Sequence, residues 1–298
     1  MEQKTLFAAI VGRPNAGKSS LLNRVLGQKI AIVSDKPQTT RTRIMGVLTE
    51  EQNQYVFIDT PGFHKPRTTL GENMIKAVTG GMEDVDVCIL VVDCLEEPSK
   101  IEEELVKKFK QKKIPAILVL NKIDLLKEKE ELLHTILAYS SMYNFSAVIP
   151  LSAKRGDGID IFFEELNNFL AEGYHMFDED TLTDQPERVI AAEMIREKLL
   201  YLLEKEIPHG IAVVIEKFTE REDTELLDIE ATIFCEKESH KGIVIGKKGA
   251  TLKRVGTMAR KDMEDFFGCK VNLQCWVKVK DDWRNRGGLI HNFGLDTK

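Results

Sequence analysis

Apolar positions in the first 171 residues fall into short continuous runs, separated by stretches with helical spacing. The runs that predict strands are Thr5–Val11, Tyr55–Asp59, Asp86–Asp93, Ile114–Asn121 and Ala147–Leu151. Helical patterns lie between them, as in Lys100–Lys112 and Ile159–Leu170. Continuous apolar strands that alternate with helices are typical of a mostly parallel sheet covered by helices on both faces. We therefore predict an α/β domain over residues 1–172, whose ligand lies at the carboxyl ends of the strands.

The pattern changes after this domain. Residues 173–186 are polar, acidic and aperiodic, and they predict a linker. The elements predicted next are a helix over Glu187–Glu206, β-rich runs over Ile211–Phe218 and Glu225–Phe234, a helix from about Ala250 to Phe267 and an alternating strand from Val271 to Val279. They indicate a smaller α+β domain over residues 187–280, followed by a tail over residues 281–298.

The composition is that of a globular protein, with 43% hydrophobic and 30% charged residues. No apolar run approaches the roughly 18 residues of a membrane span, and the N-terminal run predicts a strand rather than a secretory signal. The five cysteines lack CxxC spacing and the six histidines lack an HExxH pair. We therefore expect no disulfide framework, no zinc site and a reducing cytoplasm.

Charge is distributed unevenly along the chain. The net charge is −6, yet residues 186–298 carry 20 basic and 20 acidic side chains, so the acidic excess lies in the first domain and linker. Between Ser239 and Lys261 there are seven basic residues and no acidic one. A basic stripe on an acidic chain predicts an anionic partner for the second domain.

Residues 12–19 match the pattern G-x-x-x-x-G-K-[ST], between a predicted strand and a helix predicted over Ser20–Leu26. Backbone N–H groups of such a loop wrap phosphates at a helix N-terminus. We expect Lys18 to contact the β- and γ-phosphates and Ser19 to bind Mg²⁺. The predicted phosphate-binding residues are Gly12, Arg13, Pro14, Asn15, Ala16, Gly17, Lys18, Ser19 and Ser20.

Three further motifs follow strands. In Asp59-Thr60-Pro61-Gly62, the aspartate is predicted to hold Mg²⁺ through its water and Gly62 to donate its N–H to the γ-phosphate. In Asn121-Lys122-Ile123-Asp124, the last carboxylate can accept two hydrogen bonds from guanine, a pair that adenine cannot form. Ser152-Ala153-Lys154 would add a backbone N–H to guanine O6 and a lysine stem over the base. Four motifs in this order predict a guanine-nucleotide site.

Residues 5–171 resemble the guanine-nucleotide-binding domain of translation-factor-related GTPases, a P-loop fold. The segment Lys36–Arg41 resembles the first switch of the Era-like members, and this implies that Thr40 reaches Mg²⁺ in the GTP state, with Thr39 as the competing choice. Lys18, Thr40, Asp59 and Gly62 are thus the predicted catalytic residues, and Ser19, Thr40 and Asp59 the predicted metal ligands.

Phe63 follows Gly62, where Ras-like GTPases have a glutamine. Phenylalanine cannot orient a water molecule by hydrogen bonding, so we predict slow hydrolysis by the free protein. In the resembled class a potassium ion can assist hydrolysis, held partly by an asparagine at the position of Asn15. The alternative role for Asn15 is that its amide caps the loop.

Gly246-Lys247-Lys248-Gly249 is a G-x-x-G pattern between an apolar segment and a helix, inside the basic stripe. Amides at a helix N-terminus can face the phosphates of a single strand, and lysines add charge without sequence preference. With the surrounding elements, the pattern resembles a type II KH domain. The predicted RNA-binding residues are Ile245, Gly246, Lys247, Lys248, Gly249, Lys253 and Arg254.

Both domains in this order resemble the Era-like family over nearly the whole chain. The resemblance implies a bacterial cytoplasmic GTPase that uses Mg²⁺, binds the 3′ region of small-subunit ribosomal RNA and assists assembly of the small ribosomal subunit. We expect a monomer. Peripheral association with the inner membrane is a further family trait, although the chain has no lipidation motif.

Some alternatives stay open at this point. Trp283, Arg284 and Arg286 in the tail suit either RNA stacking and phosphate contact or a helix packed on the second domain. The whole protein is either the RNA-binding GTPase described above or a GTP-dependent signalling switch that acts on a protein or membrane-associated effector. An RNA-binding protein with an inactive nucleotide domain is disfavoured, because every motif residue needed for nucleotide binding is intact.

Overall fold

The structure is a computed structural model that describes residues 2–63 and 66–296. Its helices and strands, in chain order, are β1 (Lys4–Val11), α1 (Lys18–Leu26), β2 (Ile44–Glu50), β3 (Asn53–Asp59), α2 (Thr69–Gly81), β4 (Val87–Asp93), α3 (Lys100–Lys112), β5 (Ala116–Asn121), α4 (Lys129–Met142), β6 (Ala147–Pro150), α5 (Ile159–Asn167), β7 (Ala171–Glu172), α6 (Glu187–Leu202), β8 (Ala212–Arg221), β9 (Leu226–Cys235), α7 (Glu238–Ile245), α8 (Ala250–Phe267), β10 (Lys270–Val279) and α9 (Gly287–Asn292).

The first sheet has the order β2-β3-β1-β4-β5-β6, and the short β7 pairs with the start of β1. β3, β1, β4, β5 and β6 run parallel, whereas β2 is antiparallel at the edge. Alternate residues of β4 enter two separate cores: Ile89 lies in one cluster and Leu90 in the other. Burial on both faces explains the continuous apolar strands. The predicted α/β fold with a mostly parallel sheet is confirmed.

Strand β2 is absent from the sequence prediction. Gly46 interrupts its apolar pattern, and the structure shows why a small residue stands there. A Cβ at Gly46 would lie 2.6 Å from Leu26 Cδ1 and 2.9 Å from Leu22 Cδ1. The strand therefore passes directly beneath α1, which also begins two residues earlier than predicted, at Lys18.

The segment predicted as a linker, residues 173–186, lies against the first domain. Thr5 Oγ1 donates to the Tyr174 carbonyl at 3.1 Å, and Gln54 Nε2 donates to the Phe177 carbonyl at 2.9 Å. Val47 N donates to the Leu182 carbonyl at 2.9 Å. Hydrogen bonds therefore hold this segment along the sheet over much of its length. The domain boundaries at residues 172 and 187 stay predictions.

The second sheet has the order β10-β9-β8, with β8 antiparallel and β10 parallel to β9. α6, α7 and α8 contribute Ile195, Val244 and Val255 to a core that also includes Ile229 of β9. α8 has the predicted bounds, and α6 ends at Leu202, before the predicted Glu206. The predicted smaller α+β domain is confirmed.

The tail packs between the two domains. Trp283 is fully buried, and its Nε1 donates to the Gly210 carbonyl at 2.9 Å. The same cluster contains Leu70 and Met74 of α2 and Ile290 of α9. RNA stacking on Trp283 is therefore wrong, because the indole has no exposed face, and the packing alternative describes this part of the tail. The last two residues of the predicted tail, 297 and 298, lie outside the described residues.

Candidate functional site

The phosphate loop connects β1 to α1 and is packed tightly against neighbouring strands. Gly12 has a φ of 149° and Gly17 a φ of 98°. A Cβ would lie 2.2 Å from Val91 O at the first position and 2.1 Å from Asn121 Nδ2 at the second. Only glycine fits both the backbone and the space. The loop thus directs its backbone toward the N-terminus of α1, an arrangement that binds phosphates.

Lys18 and Asp59 are both buried at this site. Lys18 Nζ donates to the Arg13 carbonyl at 2.8 Å. Burial lowers the pKa of Lys18 to about 8, opposed by the charge of Asp59. Burial also raises the pKa of Asp59 to about 6, opposed by Lys18 and by hydrogen bonds from Ser19 and Thr60. A bound polyphosphate and a bound cation are the groups that would offset these desolvation costs.

Three oxygen donors meet beside Lys18. Ser19 Oγ lies 2.9 Å from Thr40 Oγ1 and donates to Asp59 Oδ2 at 2.7 Å. The other carboxylate oxygen, Asp59 Oδ1, is buried and has no hydrogen-bond partner in the described part of the chain. Thr39 instead donates its hydroxyl to the Lys36 carbonyl at 2.6 Å. These hard oxygen donors and the orphaned carboxylate oxygen suit Mg²⁺, and the geometry favours Thr40 over Thr39.

Asn121 connects the loops of the predicted base site. Its Nδ2 donates to the Ala16 carbonyl at 2.9 Å, and its Oδ1 accepts from Ala153 N at 3.0 Å. Ser152 Oγ donates to Asp124 Oδ1 at 2.7 Å, which orients the carboxylate. Lys122 Nζ pairs with Asp93 at 2.7 Å. The structure therefore brings the predicted base-reading residues together.

Arg24 also supports the base site, although the sequence motifs do not include it. Its Nε donates to the Ala153 carbonyl at 2.8 Å and its Nη2 to the Lys154 carbonyl at 2.5 Å. The guanidinium thus connects α1 to the loop that follows β6. The only signal in the sequence is a basic residue in the last turn of α1, which is too common to identify this role.

Two residues of the phosphate loop use their side chains elsewhere. Arg13 forms ion pairs with Glu96 at 2.8 Å and Glu102 at 2.6 Å, so the loop is anchored to α3 and its surroundings. Asn15 Nδ2 donates to the Asp35 carbonyl at 2.5 Å. That bond connects the phosphate loop to the segment between α1 and β2, and both roles for Asn15 stay predictions.

Gly62 and Phe63 follow β3 and lie beside the phosphate loop. A Cβ at Gly62 would lie 2.7 Å from Pro14 Cα, so this segment contacts the phosphate loop closely. Phe63 N donates to the Gly12 carbonyl at 3.1 Å, while its ring is buried in the core cluster that includes Val78. The ring therefore has a packing role.

The G-x-x-G turn joins α7 to α8. Lys247 and Lys248 are exposed, and Gly249, with a φ of 80°, immediately precedes α8. Beside the turn, a groove of about 550 Å³ runs between α8 and β10. Its lining residues are Gly249, Leu252, Lys253, Gly256, Thr257, Arg260, Asn272, Leu273 and Cys275. The groove can accept an extended phosphate-bearing strand.

The predicted RNA residues only partly line this groove. Gly249 and Lys253 do, whereas Arg254 is exposed on α8 outside the lining, and Ile245 is half-buried before the turn. Arg260 and the β10 residues are additional. Helical spacing from Gly249 could have indicated Arg260, because positions four, seven and eleven residues later share its face.

A phosphate loop, a guanine-type base site and a G-x-x-G domain together define a GTPase with a KH domain. The family described as 50S ribosome-binding GTPase matches residues 7–122, and the KH domain family matches residues 206–284. The chain is 48% identical to GTPase Era of Ruminiclostridium cellulolyticum over 297 residues, which cover 100% of this chain and 99% of that protein. It belongs to the GTPase Era family.

Further relatives also match this chain over nearly its full length. GTPase Era of Clostridioides difficile is 49% identical over 295 residues and covers 99% of each chain. A crystal structure of Era with MgGDPNP and nucleotides 1506–1542 of 16S ribosomal RNA is 37% identical, with a TM-score of 0.95 over 99% of this chain and 100% of that one. An Aquifex aeolicus Era variant bound to GDP·AlF₄⁻ gives the same values. This protein is therefore a GTPase of the Era family.

Proposed function

We propose that this protein hydrolyses GTP to GDP and phosphate and binds a single-stranded region near the 3′ end of small-subunit ribosomal RNA, assisting assembly of the small ribosomal subunit. The observation that carries this proposal is the groove of α8 and β10 with its G-x-x-G turn, on a chain that shares its full length with an Era structure containing a 16S ribosomal RNA segment. A protein-directed signalling switch is not favoured.

At the phosphate end, we assign Ser19, Thr40 and Asp59 to Mg²⁺, which supplies charge neutralisation on the β- and γ-oxygens when bound. Lys18 contacts the same phosphates. The backbone of residues 12–20 surrounds them, and Thr60, Pro61 and Gly62, which follow β3, close the site from the other side. Lys18, Thr40, Asp59 and Gly62 remain our proposed catalytic residues.

At the base end, Asp124 is proposed to accept two hydrogen bonds from guanine. Asn121 holds the two flanking loops together, and Ser152 orients the Asp124 carboxylate. In this proposal a backbone N–H of the segment Ser152-Ala153-Lys154 also faces guanine O6, and the stems of Lys122 and Lys154 cover the base. Adenine would leave the Asp124 carboxylate without its donors.

Hydrolysis by the free protein is proposed to be slow, because Phe63 has no group that orients water. A potassium ion held by Asn15 Oδ1 is compatible with the bond that its Nδ2 makes to Asp35, since the amide oxygen is a separate atom. Equal hydrolysis rates in sodium and potassium would remove that ion from the mechanism.

Ribosomal subunit and location also belong to this proposal. The family description for residues 7–122 mentions the 50S ribosome, but it spans only part of the chain, whereas the Era relative solved with a 16S segment matches both domains. We therefore favour the small subunit. No helix among residues 2–63 and 66–296 is long and apolar enough to cross a membrane. Cytoplasmic location, peripheral membrane contact and a monomeric state stay predictions.

The proposal is tested by RNA binding with a paired charge reversal. Replacing Lys247 and Lys248 by Asp should weaken binding of a 3′-terminal 16S fragment at least tenfold, which is about 1.4 kcal/mol, because two cations leave the phosphate path. GTP hydrolysis without RNA should keep its rate. Replacing Lys107 and Lys110 by Glu, at exposed positions of α3, makes the same charge change elsewhere and should leave RNA binding within twofold.

The outcome that contradicts the RNA assignment is equal binding by the Lys247/Lys248 double variant and the unaltered protein. The protein-directed switch would then be the better hypothesis. Loss of binding in the α3 control to the same extent would show that total charge, rather than the turn, determines RNA affinity.

A further inference from the structure

The first switch, Lys36–Arg41, lies in the segment between α1 and β2. This segment, residues 27–43, contains no helix or strand. Nevertheless Thr40 is buried, and its hydroxyl lies 2.9 Å from Ser19 Oγ, within the proposed metal-donor set. Because no helix or strand fixes the backbone around Thr40, contacts from other parts of the protein are needed to hold its side chain in this position.

Arg196 of α6 supplies one anchor from the second domain. Its side chain is almost fully buried. Nη2 donates to the Thr39 carbonyl, and Nη1 donates to the Gln38 carbonyl at 3.5 Å. Glu193, one turn earlier, accepts from Arg196 Nε at 2.7 Å and from Nη2 at 2.5 Å. The planar guanidinium is thus fixed on one edge by Glu193 and presents its other donors to the switch.

The contact reaches Thr40 through covalent geometry. The Thr39 carbonyl and the Thr40 N–H belong to one planar peptide unit. A donor that fixes the carbonyl therefore restricts the rotation of that plane, and with it the direction of the Thr40 side chain. In the described part of the chain, the hydrogen bonds of Arg196 go to Glu193, Gln38 and Thr39 and not to Ser19, Asp59 or Lys18, so its effect would pass through the backbone of the first switch.

Arg41 supplies the opposite anchor. It donates to the Ile211 carbonyl at 2.5 Å and to the His209 carbonyl at 2.9 Å, and it lies over the Trp283 ring at 5.7 Å. Thr40 is therefore flanked by two guanidinium contacts that cross the domain boundary in opposite directions. The first switch is therefore hydrogen-bonded to the second domain on both sides of Thr40.

We propose that Arg196 is a positioning residue for GTP hydrolysis, supplied by the RNA-binding domain, which holds Thr40 beside Ser19 and Asp59. The inference rests on the proposed function of that metal site. It assigns no contact between Arg196 and the nucleotide. Its expected signature is therefore a loss of turnover at saturating GTP, with the affinity for GDP unchanged, because the phosphate loop and base site do not contact Arg196.

The test compares full-length variants in steady-state GTP hydrolysis over a range of Mg²⁺ concentrations. Arg196→Gln should lower kcat about tenfold, raise the Mg²⁺ concentration needed for half-maximal rate, and leave GDP affinity within twofold. Arg196→Lys should recover only part of kcat, since the donors of an ammonium radiate from one nitrogen atom, whereas the guanidinium reaches Glu193 and the two carbonyls from three. Arg188→Gln, an exposed position two turns earlier on α6, is the matched control and should retain kcat.

Glu193→Gln is a second variant that keeps the arginine and weakens its orientation, so it tests the inference even if Arg196→Gln does not fold. It should give an intermediate kcat and the same Mg²⁺ shift. Unchanged kcat in a folded Arg196→Gln or Glu193→Gln protein would overturn the inference, as would equal losses of GTP turnover and GDP affinity. An inactive unaltered protein would instead contradict the proposed function, so the two failures are distinguishable.

Discussion

Phe63 and Arg13 lie in or beside segments that are predicted to contact phosphates, yet both side chains contact other parts of the protein. The Phe63 ring is buried, and the Lys108 ammonium lies 5.1 Å from its centroid. Arg13 is paired with Glu96 and Glu102. At this scale a motif predicts which backbone approaches the ligand, but it does not predict where each side chain goes, because that depends on partners from α3 and other distant segments.

Asp124 provides the residue-scale prediction. Asp124→Asn replaces one acceptor by a donor, so guanine loses a charge-assisted pair, while xanthine, with an oxygen at that edge, gains one. We expect GTP affinity to fall about 10- to 100-fold, because a hydrogen bond to a charged group contributes roughly 1.5–3 kcal/mol. Competition binding with GTP and XTP measures both effects. Unchanged GTP affinity without any gain for XTP would show that Asp124 does not read the base.

The elements that sequence patterns predict best are the strands that the first domain buries on both faces. β1, β4 and β5 are buried on both faces and stand out as continuous apolar runs. β2 is missed because Gly46 is required by close contact with Leu22 and Leu26. α2 is not delimited because Leu70 and Met74 pack on the tail, whose position depends on the complete fold.

The candidate site follows the same division. Residues in contiguous motifs at strand ends, such as Lys18 and Asp124, are predictable because the chemistry of the ligand dictates their type and spacing. Arg24 and Arg196 are not, since each acts on a backbone carbonyl more than 120 residues away in sequence. Arg260 is an intermediate case. Once α8 is assigned, helical spacing places Arg260 on the same face as Gly249 and Lys253, but no motif includes it.

The G-x-x-G turn provides the element-scale prediction. A Cβ at Gly249 meets no atom within 4 Å, so the only structural cost of a side chain there is the φ of 80°, about 1–2 kcal/mol. Gly249→Asp should therefore fold, and its carboxylate should weaken RNA binding at least tenfold by repelling phosphate. Gly249→Asn has the same shape and backbone strain without the charge.

Filter binding of a single-stranded RNA measures both Gly249 variants. The charge interpretation requires the Asn variant to bind more tightly than the Asp variant by at least fivefold at low salt, with the difference shrinking as salt rises. Equal weakening in both variants would instead assign the effect to backbone strain.

At the scale of the whole molecule, the two domains share a charged network. Glu197 of α6 accepts from Lys29 at 2.6 Å and from Lys198 at 2.7 Å, and Asp262 of α8 accepts from the same two lysines. Burial alone would raise the pKa of Glu197, but the hydrogen bonds from Lys198 and Lys29 hold it below its usual value. The network therefore connects the segment that follows α1 to α6 and α8.

This network predicts a pH-dependent contribution to stability. Because the folded pKa of Glu197 lies below its unfolded value, the carboxylate stabilises the fold above that unfolded value and loses its effect as pH falls through the folded one. Glu197→Gln should lower the free energy of unfolding by about 2 kcal/mol at pH 7, since it removes a mostly buried carboxylate charge and leaves Asp262 as the one acidic partner of Lys29 and Lys198 in this network. Urea unfolding at several pH values measures this difference.

The sign of that pH dependence is specific. The difference between Glu197→Gln and the unaltered protein should shrink as pH falls below about 4.5, because the unfolded chain then binds a proton on Glu197 that the folded protein takes up only at lower pH. A difference that stays constant from pH 7 to pH 3.5 would mean that the charge of Glu197 is irrelevant to the interface. Glu204→Gln, an exposed position beyond α6, is a control that should change stability little at any pH.

The packing of α2 against the tail also has a consequence for biosynthesis. Leu70 and Met74 emerge from the translating ribosome long before Trp283 and Ile290, the residues that cover them. The first domain can acquire its own two cores at that stage, but the apolar side of α2 then faces water. Leu70 and Met74 therefore stay without this cover until translation has passed residue 290.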